Sequence, residues 1–411
     1  MNPFFQDISK LLKFATDRDI YPDVYTIVGA STDSEVSVLE NGEIRKVLMF
    51  SSNNYLGLAN DERVKKAVID AVKKYGVGSG GSKLVTGNIS VQKELEDSIA
   101  EFRNCEDAVT FASGYTANVG TIPAFLNPVA LSLGGIIKKK FFEKIPVVYS
   151  DEFNHASIVD GCRLAKAERI IYKHKDLNDL ESKLHSKRGN RRKLIVTDGV
   201  FSMDGDIAPL PGIMELAEKC GATVMIDDAH ATGVIGKNGK GTPEYFDLKK
   251  MPEIVMGTFT KAFGAIGGFI ASSKELVKYL KVMGRPHMFS APIPPAIVVG
   301  ILESLEIIKS EKRHQEVLRK AEYMRDQLRG NGFNILESET QIIPILVGDE
   351  AKTIATSREL LREGIFAPAI HWPAVPKGRG RLRITVMFGH TQVHLDNFIS
   401  KIKKIRGKIN F

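Results

Sequence analysis

From Val47 onward, short runs rich in Val and Ile alternate with longer segments whose apolar residues recur at helical spacing. A chain built this way buries its strands on both faces beneath helices, which fixes an α/β layering before any single residue is considered. Helical periodicity covers 61–75, 92–103, 176–187 and 210–220. The intervening runs 107–111, 147–149, 169–172, 194–197, 223–226 and 254–256 are each short enough for a buried strand. A mostly parallel sheet follows. After Pro292 the rhythm changes: 293–329 reads as nearly continuous helix, followed by a strand over 341–347, a helix near 353–362, a strand over 382–386 and a last helix. The expected organisation is an N-terminal segment 1–46, a large domain 47–291 and a smaller α+β domain 292–411, in keeping with the size at which single cores stop growing.

Composition narrows the class. With 43% hydrophobic and 26% charged residues over 411 positions, a disordered or collagen-like chain is excluded. The formal charge of +8 is modest at this length and suits an anionic substrate. Basic residues scatter, with no aromatic strip or zinc-finger spacing, so nucleic acid is not expected as a partner. The three cysteines, Cys105, Cys162 and Cys220, are odd in number and widely spaced, which fits a reducing compartment. The first 16 residues carry Asp7, Lys10 and Lys13 among apolar ones and lack a cleavable leader pattern, so the expected location is cytoplasmic.

One stretch stands apart. In 127–145 an apolar half, 129–137, runs into Lys138, Lys139, Lys140 and two phenylalanines. Its apolar part is far below the roughly 20 residues needed to span a bilayer. It could lie on a membrane surface, dock an acidic carrier or pack as an ordinary surface helix, the last being the weightier reading.

Gly76–Gly81 reads G-V-G-S-G-G and matches the letters of a dinucleotide fingerprint, but it follows a helical pattern rather than a strand. The match is accidental; the glycines fit a tight turn beside a ligand. By contrast, T-V-M-I-D-D-A-H at 223–230 places two carboxylates and an imidazole beyond a strand, where open α/β sheets bind ligands. Lys261 follows another strand among Phe259, Ala262, Phe263 and Gly264. Most lysines are solvated; these neighbours should bury this one, lower its pKa and make it a nucleophile toward an aldehyde cofactor. Thr258 and Thr260 could hold a phosphate.

These segments, taken together, resemble the α-oxoamine synthases, fold-type I pyridoxal-phosphate enzymes that include 8-amino-7-oxononanoate synthase, 2-amino-3-ketobutyrate CoA ligase, 5-aminolevulinate synthase and serine palmitoyltransferase. The resemblance runs from about Val47 to His390. It rests on F-S-S-N-N-Y-L-G-L at 50–58, G-S-G-G-S at 78–82, S-G-Y-T-A-N at 113–118, N-H-A-S-I at 154–158, G-V-F-S-M-D-G-D at 199–206, D-D-A-H at 227–230, T-F-T-K at 258–261 and R-L-R at 381–383. It implies a large mostly parallel-sheet domain with a smaller α+β C-terminal domain, and pyridoxal 5'-phosphate as cofactor.

Carried over residue by residue, the resemblance makes Lys261 the lysine that holds the cofactor and Asp227 the partner of the protonated pyridine nitrogen. His155 becomes the imidazole stacked on the ring, and Ser202 and His230 the groups that bond its hydroxyl. Gly114 and Tyr115 match the phosphate cradle at a helix start, and Thr258 a hydroxyl contact to the same group. Ser290 resembles a residue reaching the neighbouring subunit's phosphate, which implies a homodimer with a shared site; Ala291 stands where the family often has a second hydroxyl. Arg383 matches the guanidinium that grips the amino-acid carboxylate, although Arg381 could serve instead. Asn53 resembles the family's N-terminal site asparagine, although it could simply stabilise a turn. His371 lies near the place where several relatives carry an arginine before P-x-x-P. His390 and His394 imitate half a zinc motif without its glutamate and read as structural, and no metal is expected.

The implied reaction is decarboxylative condensation of a small amino acid with an acyl-CoA or acyl-carrier-protein thioester, giving an α-amino ketone. Y-P-D-V-Y-T-I at 21–27 and P-A-V-P at 373–376 favour a serine palmitoyltransferase-like member. The alternatives are 8-amino-7-oxononanoate synthase or a glycine C-acetyltransferase (2-amino-3-ketobutyrate CoA ligase). Outside this class stand a non-catalytic partner subunit, against which Lys261, Asp227 and His155 argue, and a transaminase on the same fold.

Overall fold

The Val- and Ile-rich runs form the centre of a seven-stranded sheet in the computed structural model, which describes residues 2–17, 24–40, 42–127, 146–186 and 192–411. All of the 127–145 stretch except Asn127 lies outside the described residues. The chain opens with helix α1 (Pro3–Asp17) and a small antiparallel sheet, β1 (Thr26–Val28), β2 (Glu35–Glu40) and β3 (Glu43–Met49). Helices α2 (Glu62–Tyr75) and α3 (Ser90–Phe102) lead to β4 (Asp107–Phe111) and α4 (Gly114–Leu126). Then come β5 (Val147–Asp151), α5 (Ala156–Ala165), β6 (Glu168–Tyr172), α6 (Leu177–Ser186), β7 (Lys193–Asp198), α7 (Leu210–Cys220) and β8 (Ala222–Asp227). The short α8 (Thr242–Tyr245) precedes β9 (Ile254–Thr258), β10 (Gly268–Ser272), α9 (Lys274–Met283) and α10 (Arg285–Phe289).

The large sheet has the order β4-β10-β9-β8-β7-β5-β6. Pairings from β9 through β6 are parallel, and β10 runs antiparallel to both of its neighbours. The sequence reading did not mark β10, whose F-I-A-S is a run of only four residues directly behind the glycine-rich stretch that follows Lys261. Alternate strand residues enter different cores: Tyr149 and Ile195 join α3, α6 and α7 on one face, while Val148, Leu194 and Val196 join α4, α5 and α9 on the other. Burial on both faces is why these runs are continuously apolar rather than alternating.

The continuous helix expected over 293–329 is two helices, α11 (Pro295–Glu311) and α12 (Arg313–Gly330), parted at Lys312, whose φ of 50° is left-handed. An ion cluster holds the corner: Arg313 bonds both Glu311 and Asp61, and Arg63 bonds Glu311. Helix α11 still packs on α2 and buries Val298, Ile301 and Leu305 in the first core, whereas from Ala321 onward most of the buried apolar residues join another core. That core is built on β11 (Ile342–Gly348), α13 (Glu350–Arg362), β12 (Ile365–Phe366), β13 (Ala369–Ile370), β14 (Gly380–Thr385) and α14 (Gln392–Ile409). Sheet order there is β11-β14-β13, and β12 pairs in parallel with β3, tying the C-terminal third to the N-terminal sheet. His390 belongs to this packing: it stacks on Phe50 at 4.3 Å and its Nε2 lies 2.9 Å from the Met49 carbonyl. Gly76–Gly81 follows α2 and leads by turns toward α3, so no strand feeds it.

Candidate active site

Strands β4, β5, β7, β8 and β9 all point their carboxyl ends toward one cavity of about 190 Å³. Gly114, Tyr115, His155, Ser202, Asp227, His230, Thr258 and Lys261 all line it. Ser290 does not; it ends α10 at the surface, bonded to the Pro286 carbonyl.

Lys261 sits three residues beyond β9, half-buried, between the fully buried Phe259 and Phe263. Crowding by protein lowers its pKa to about 8, Asp227 and Asp198 oppose the shift, and Arg383 adds to it. Asp227 ends β8, is 3% exposed, and accepts Asn118 Nδ2 at 2.7 Å and the Ala229 N–H at 3.0 Å. Two fixed donors orient this carboxylate on the cavity wall, where it could meet a cationic ring nitrogen.

His155 caps α5. The Ser157 N–H donates to its Nδ1, and the Ser157 hydroxyl, 2.7 Å from Nδ1, is itself the acceptor of Asn118 Nδ2 at 2.8 Å. Nδ1 is therefore an acceptor and the ring proton sits on Nε2. Desolvation on the cleft wall lowers its pKa, Asp227 opposes and Lys261 assists, so the ring is neutral. His230 is buried and held well below the usual histidine range by desolvation, then by Lys261, Arg383 and His155.

Helix α4 starts with a capping box that uses the Ser113 and Thr116 N–H groups; Gly114 and Tyr115, in the same first turn, line the cavity, and a helix start is a ready place for a phosphate. Gly114 gives this helix start room: a Cβ there would press on Thr258 Cβ at 3.3 Å and on the movable Met256 Cε at 2.9 Å. The Thr258 hydroxyl bonds the Gly267 carbonyl at 2.8 Å and lies 3.1 Å from Thr260 Oγ1, so Thr260 holds the more available hydroxyl. The Tyr115 hydroxyl donates to Asp160 at 2.6 Å.

Two arginines on β14 separate by their partners. Arg381 pairs with Asp204 at 2.7 Å, whereas among the described residues no carboxylate pairs with Arg383. Arg383 instead bonds the Ser202 carbonyl at 2.5 Å and Asn53 Oδ1 at 3.1 Å, leaving guanidinium donors for an incoming carboxylate. His371, at the start of the W-P-A-V-P loop, lines neither this cavity nor the neighbouring one of about 360 Å³ beside Trp372 and Phe153. Among the described residues no group of three or more His, Cys, Asp or Glu side chains could hold a metal.

Four residues enter the site without a role read from sequence. Asn118 and Ser157 link Asp227 to His155, and Tyr55 bonds His230. Asp198 ends β7, is 5% exposed, and accepts the His155 N–H at 2.9 Å. Burial and then Asp227 push its pKa well above the usual carboxylate range, opposed by the His155 N–H and Lys261. All four lie in or next to the quoted motifs, which was the available signal. Asp227, Lys261 and the Gly114 cradle together fit a phosphorylated aldehyde with a basic ring nitrogen.

Comparison with known proteins gives three findings. Residues 45–402 match the family model of aminotransferase class I and II. The chain is 48% identical over 376 residues to a protein of Lysinibacillus sphaericus named 8-amino-7-oxononanoate synthase, covering 91% of this chain and 92% of that one. It is 44% identical over 405 residues to one of the same name from Petrotoga mobilis, covering 98% of each. Among solved structures, serine palmitoyltransferase from S. paucimobilis, with bound PLP–myriocin aldimine, superimposes with a TM-score of 0.89 at 26% identity, covering 99% of this chain and 98% of that one.

Proposed function

Because this chain belongs to the aminotransferase class I and II family and, within it, to the α-oxoamine synthases, pyridoxal-phosphate-dependent acyltransferases, we propose that its product is 8-amino-7-oxononanoate. The observation that carries this choice is the 44% identity to a protein of that name over 98% of both chains. It favours the alternative reading of the sequence over the serine palmitoyltransferase-like one, which is a related reaction. The product's structure dictates its precursors. A methyl-bearing amino carbon beside the ketone comes from alanine after loss of its carboxyl, and the remaining seven carbons come from an acyl thioester ending in a carboxylate. Alanine and thioester thus give amino ketone, CO2 and free thiol.

When bound, pyridoxal phosphate supplies an aldehyde for the alanine amine and a ring that takes up the electron pair left by the departing α-proton. Lys261 would hold that cofactor and, once displaced by alanine, take the α-proton on Nζ, a base brought near neutrality by its surroundings. Asp227, locked by Asn118 and Ala229, would keep the ring nitrogen protonated. The α4 N-terminus with Thr260 and Thr258 would hold the phosphate, Ser202 and His230 the ring hydroxyl. His155, neutral with its proton on Nε2, would cover the ring face. Arg383, free of any carboxylate partner among the described residues and steadied by Asn53, would grip the alanine carboxylate until it leaves. His371 remains a proposed substrate contact.

The chain is proposed to act as a cytoplasmic homodimer in which Ser290 reaches the partner's phosphate. Phe289, next to Ser290, is an exposed aromatic that a partner could cover, and the three free cysteines fit a reducing compartment. No described helix is long and apolar enough to cross a membrane. The 127–145 stretch is proposed to contact the acyl carrier or a membrane surface, and the 47–291 and 292–411 division is proposed as the domain boundary.

The test is an assay of the purified protein with glycine, alanine, serine and threonine against acetyl, seven-carbon ω-carboxy and palmitoyl thioesters, following CO2, thiol and product mass. Alanine with the seven-carbon donor should lead. Serine with palmitoyl thioester leading would reinstate the other reading, and thiol release without CO2 would remove both.

A further inference from the structure

Three motifs meet in a hydrogen-bond chain that the scheme above leaves unused. Tyr55, from N-N-Y-L-G, is fully buried. Its hydroxyl lies 2.6 Å from His230 Nδ1 and 3.0 Å from Asn53 Oδ1, and that Asn53 oxygen accepts Arg383 Nη2 at 3.1 Å. The chain Arg383, Asn53, Tyr55, His230 therefore runs unbroken from the guanidinium assigned to the amino-acid carboxylate to the imidazole assigned to the ring hydroxyl. Gln341 Nε2 donates to the His230 backbone carbonyl at 2.9 Å, fixing the backbone that carries the imidazole.

A phenol has one proton to give. If Tyr55 donates to His230 Nδ1, the imidazole proton sits on Nε2, which is then a donor. If Tyr55 donates to Asn53 Oδ1, His230 Nδ1–H donates to the phenol oxygen and Nε2 is a bare acceptor. Asn53 Oδ1 has two lone pairs and can accept Arg383 and Tyr55 together, so neither arrangement strands a polar atom. Desolvation and the charges facing His230, from Lys261, Arg383 and His155, disfavour a second proton, so the variable is the tautomer and not the charge. A carboxylate on Arg383 competes for its donors, leaves Asn53 Oδ1 a better acceptor for Tyr55, and thereby turns Nε2 into the acceptor.

We propose that Tyr55 is a positioning residue that couples the amino-acid carboxylate site to the cofactor's ring hydroxyl by setting the tautomer of His230. This rests on the roles given above to Arg383 and His230. Occupation of the carboxylate site then favours the protonated ring hydroxyl before any bond to the amino acid is made.

The test uses the holoenzyme and propanoate, which has the carboxylate of alanine and no amine. In the unaltered protein, propanoate should compete with alanine and shift the bound cofactor's absorbance saturably to shorter wavelength. In Tyr55→Phe it should still compete, with affinity within about threefold, and leave the spectrum unmoved; kcat with alanine should fall roughly tenfold with little change in KM. Nitrogen NMR of His230 in the apoenzyme should move from Nε2-H toward Nδ1-H when propanoate is added, and should not respond to propanoate in Tyr55→Phe. Asn53→Ala, which spares the Tyr55–His230 bond, should also silence the propanoate response, so a misfolded Tyr55 variant does not end the test. A Tyr55→Phe spectrum that follows propanoate as the unaltered protein does, or an unaltered protein that binds propanoate with no spectral change, overturns the coupling. Failure of propanoate to compete with alanine removes the Arg383 assignment and the coupling with it, whereas absence of any cofactor chromophore refutes the proposed function itself.

Discussion

Lys261 needs a free-amine fraction to capture an aldehyde, yet it stands in the field of two aspartates. Crowding by protein wins over Asp227 and Asp198 and sets its pKa to about 8. Its free-amine fraction therefore grows as pH rises through about 8, rather than through the 10.5 of an ordinary lysine. The rate of cofactor capture by apoenzyme should climb with a midpoint near 8; a climb continuing to pH 10 would contradict this. Loss of its proton-transfer role in Lys261→Ala should cost about 10²–10⁴-fold in turnover, measured with added amine to restore cofactor exchange. The β14 arginines should divide similarly. Arg383→Ala should raise KM for alanine with the melting temperature kept, while Arg381→Ala strands Asp204 and should lose about 3 kcal/mol of stability in a denaturant titration. Reactive residues such as Lys261 and Asp227 were legible because each stands at a strand end inside a motif. Tyr55 had no legible role, since its partner His230 is 175 positions away and spacing carries no trace of a bond across the fold.

At the scale of elements, the cradle at the start of α4 exists because Gly114 lets the helix approach β9. Gly114→Ala must displace Met256 or Thr258 and should weaken cofactor affinity at least tenfold, about 1.4 kcal/mol, with the fold retained by circular dichroism. The turn bearing Ser202 is anchored from beneath by His174, whose ring nitrogens bond Asp151 at 3.0 Å and Asp206 at 2.9 Å. Burial opposes its charge, but those two bonds outweigh it and raise its pKa to about 9. A raised folded-state pKa means that this stabilisation is fully present below the unfolded value of about 6.5, declines above it and is gone beyond about 9. The melting temperature should fall across that window, and His174→Gln should flatten the fall; an unchanged slope would remove His174 as its cause. The buried strands were readable as apolar runs. The α11–α12 corner was not, because Glu311-Lys312-Arg313 continues a helical pattern and only its ion pairs with Asp61 and Arg63, far earlier in the chain, reveal the turn.

Across the whole molecule, the site is where two bodies of packing meet. The large sheet offers Asp227, Lys261, His155 and the α4 terminus, β14 brings Arg383 from the C-terminal sheet, and the segment after β3 brings Asn53. Its layered α/β class was written in the alternation of runs, while the convergence of these segments was legible only through resemblance, since periodicity orders elements along the chain and not around a cavity. All of this depends on one lysine carrying the cofactor. Borohydride reduction of the pyridoxal-phosphate-loaded protein, followed by peptide mass mapping, tests that directly. The modification should fall on the peptide containing Lys261 and vanish in Lys261→Ala; a modification located on another lysine, or none at all, would contradict the account.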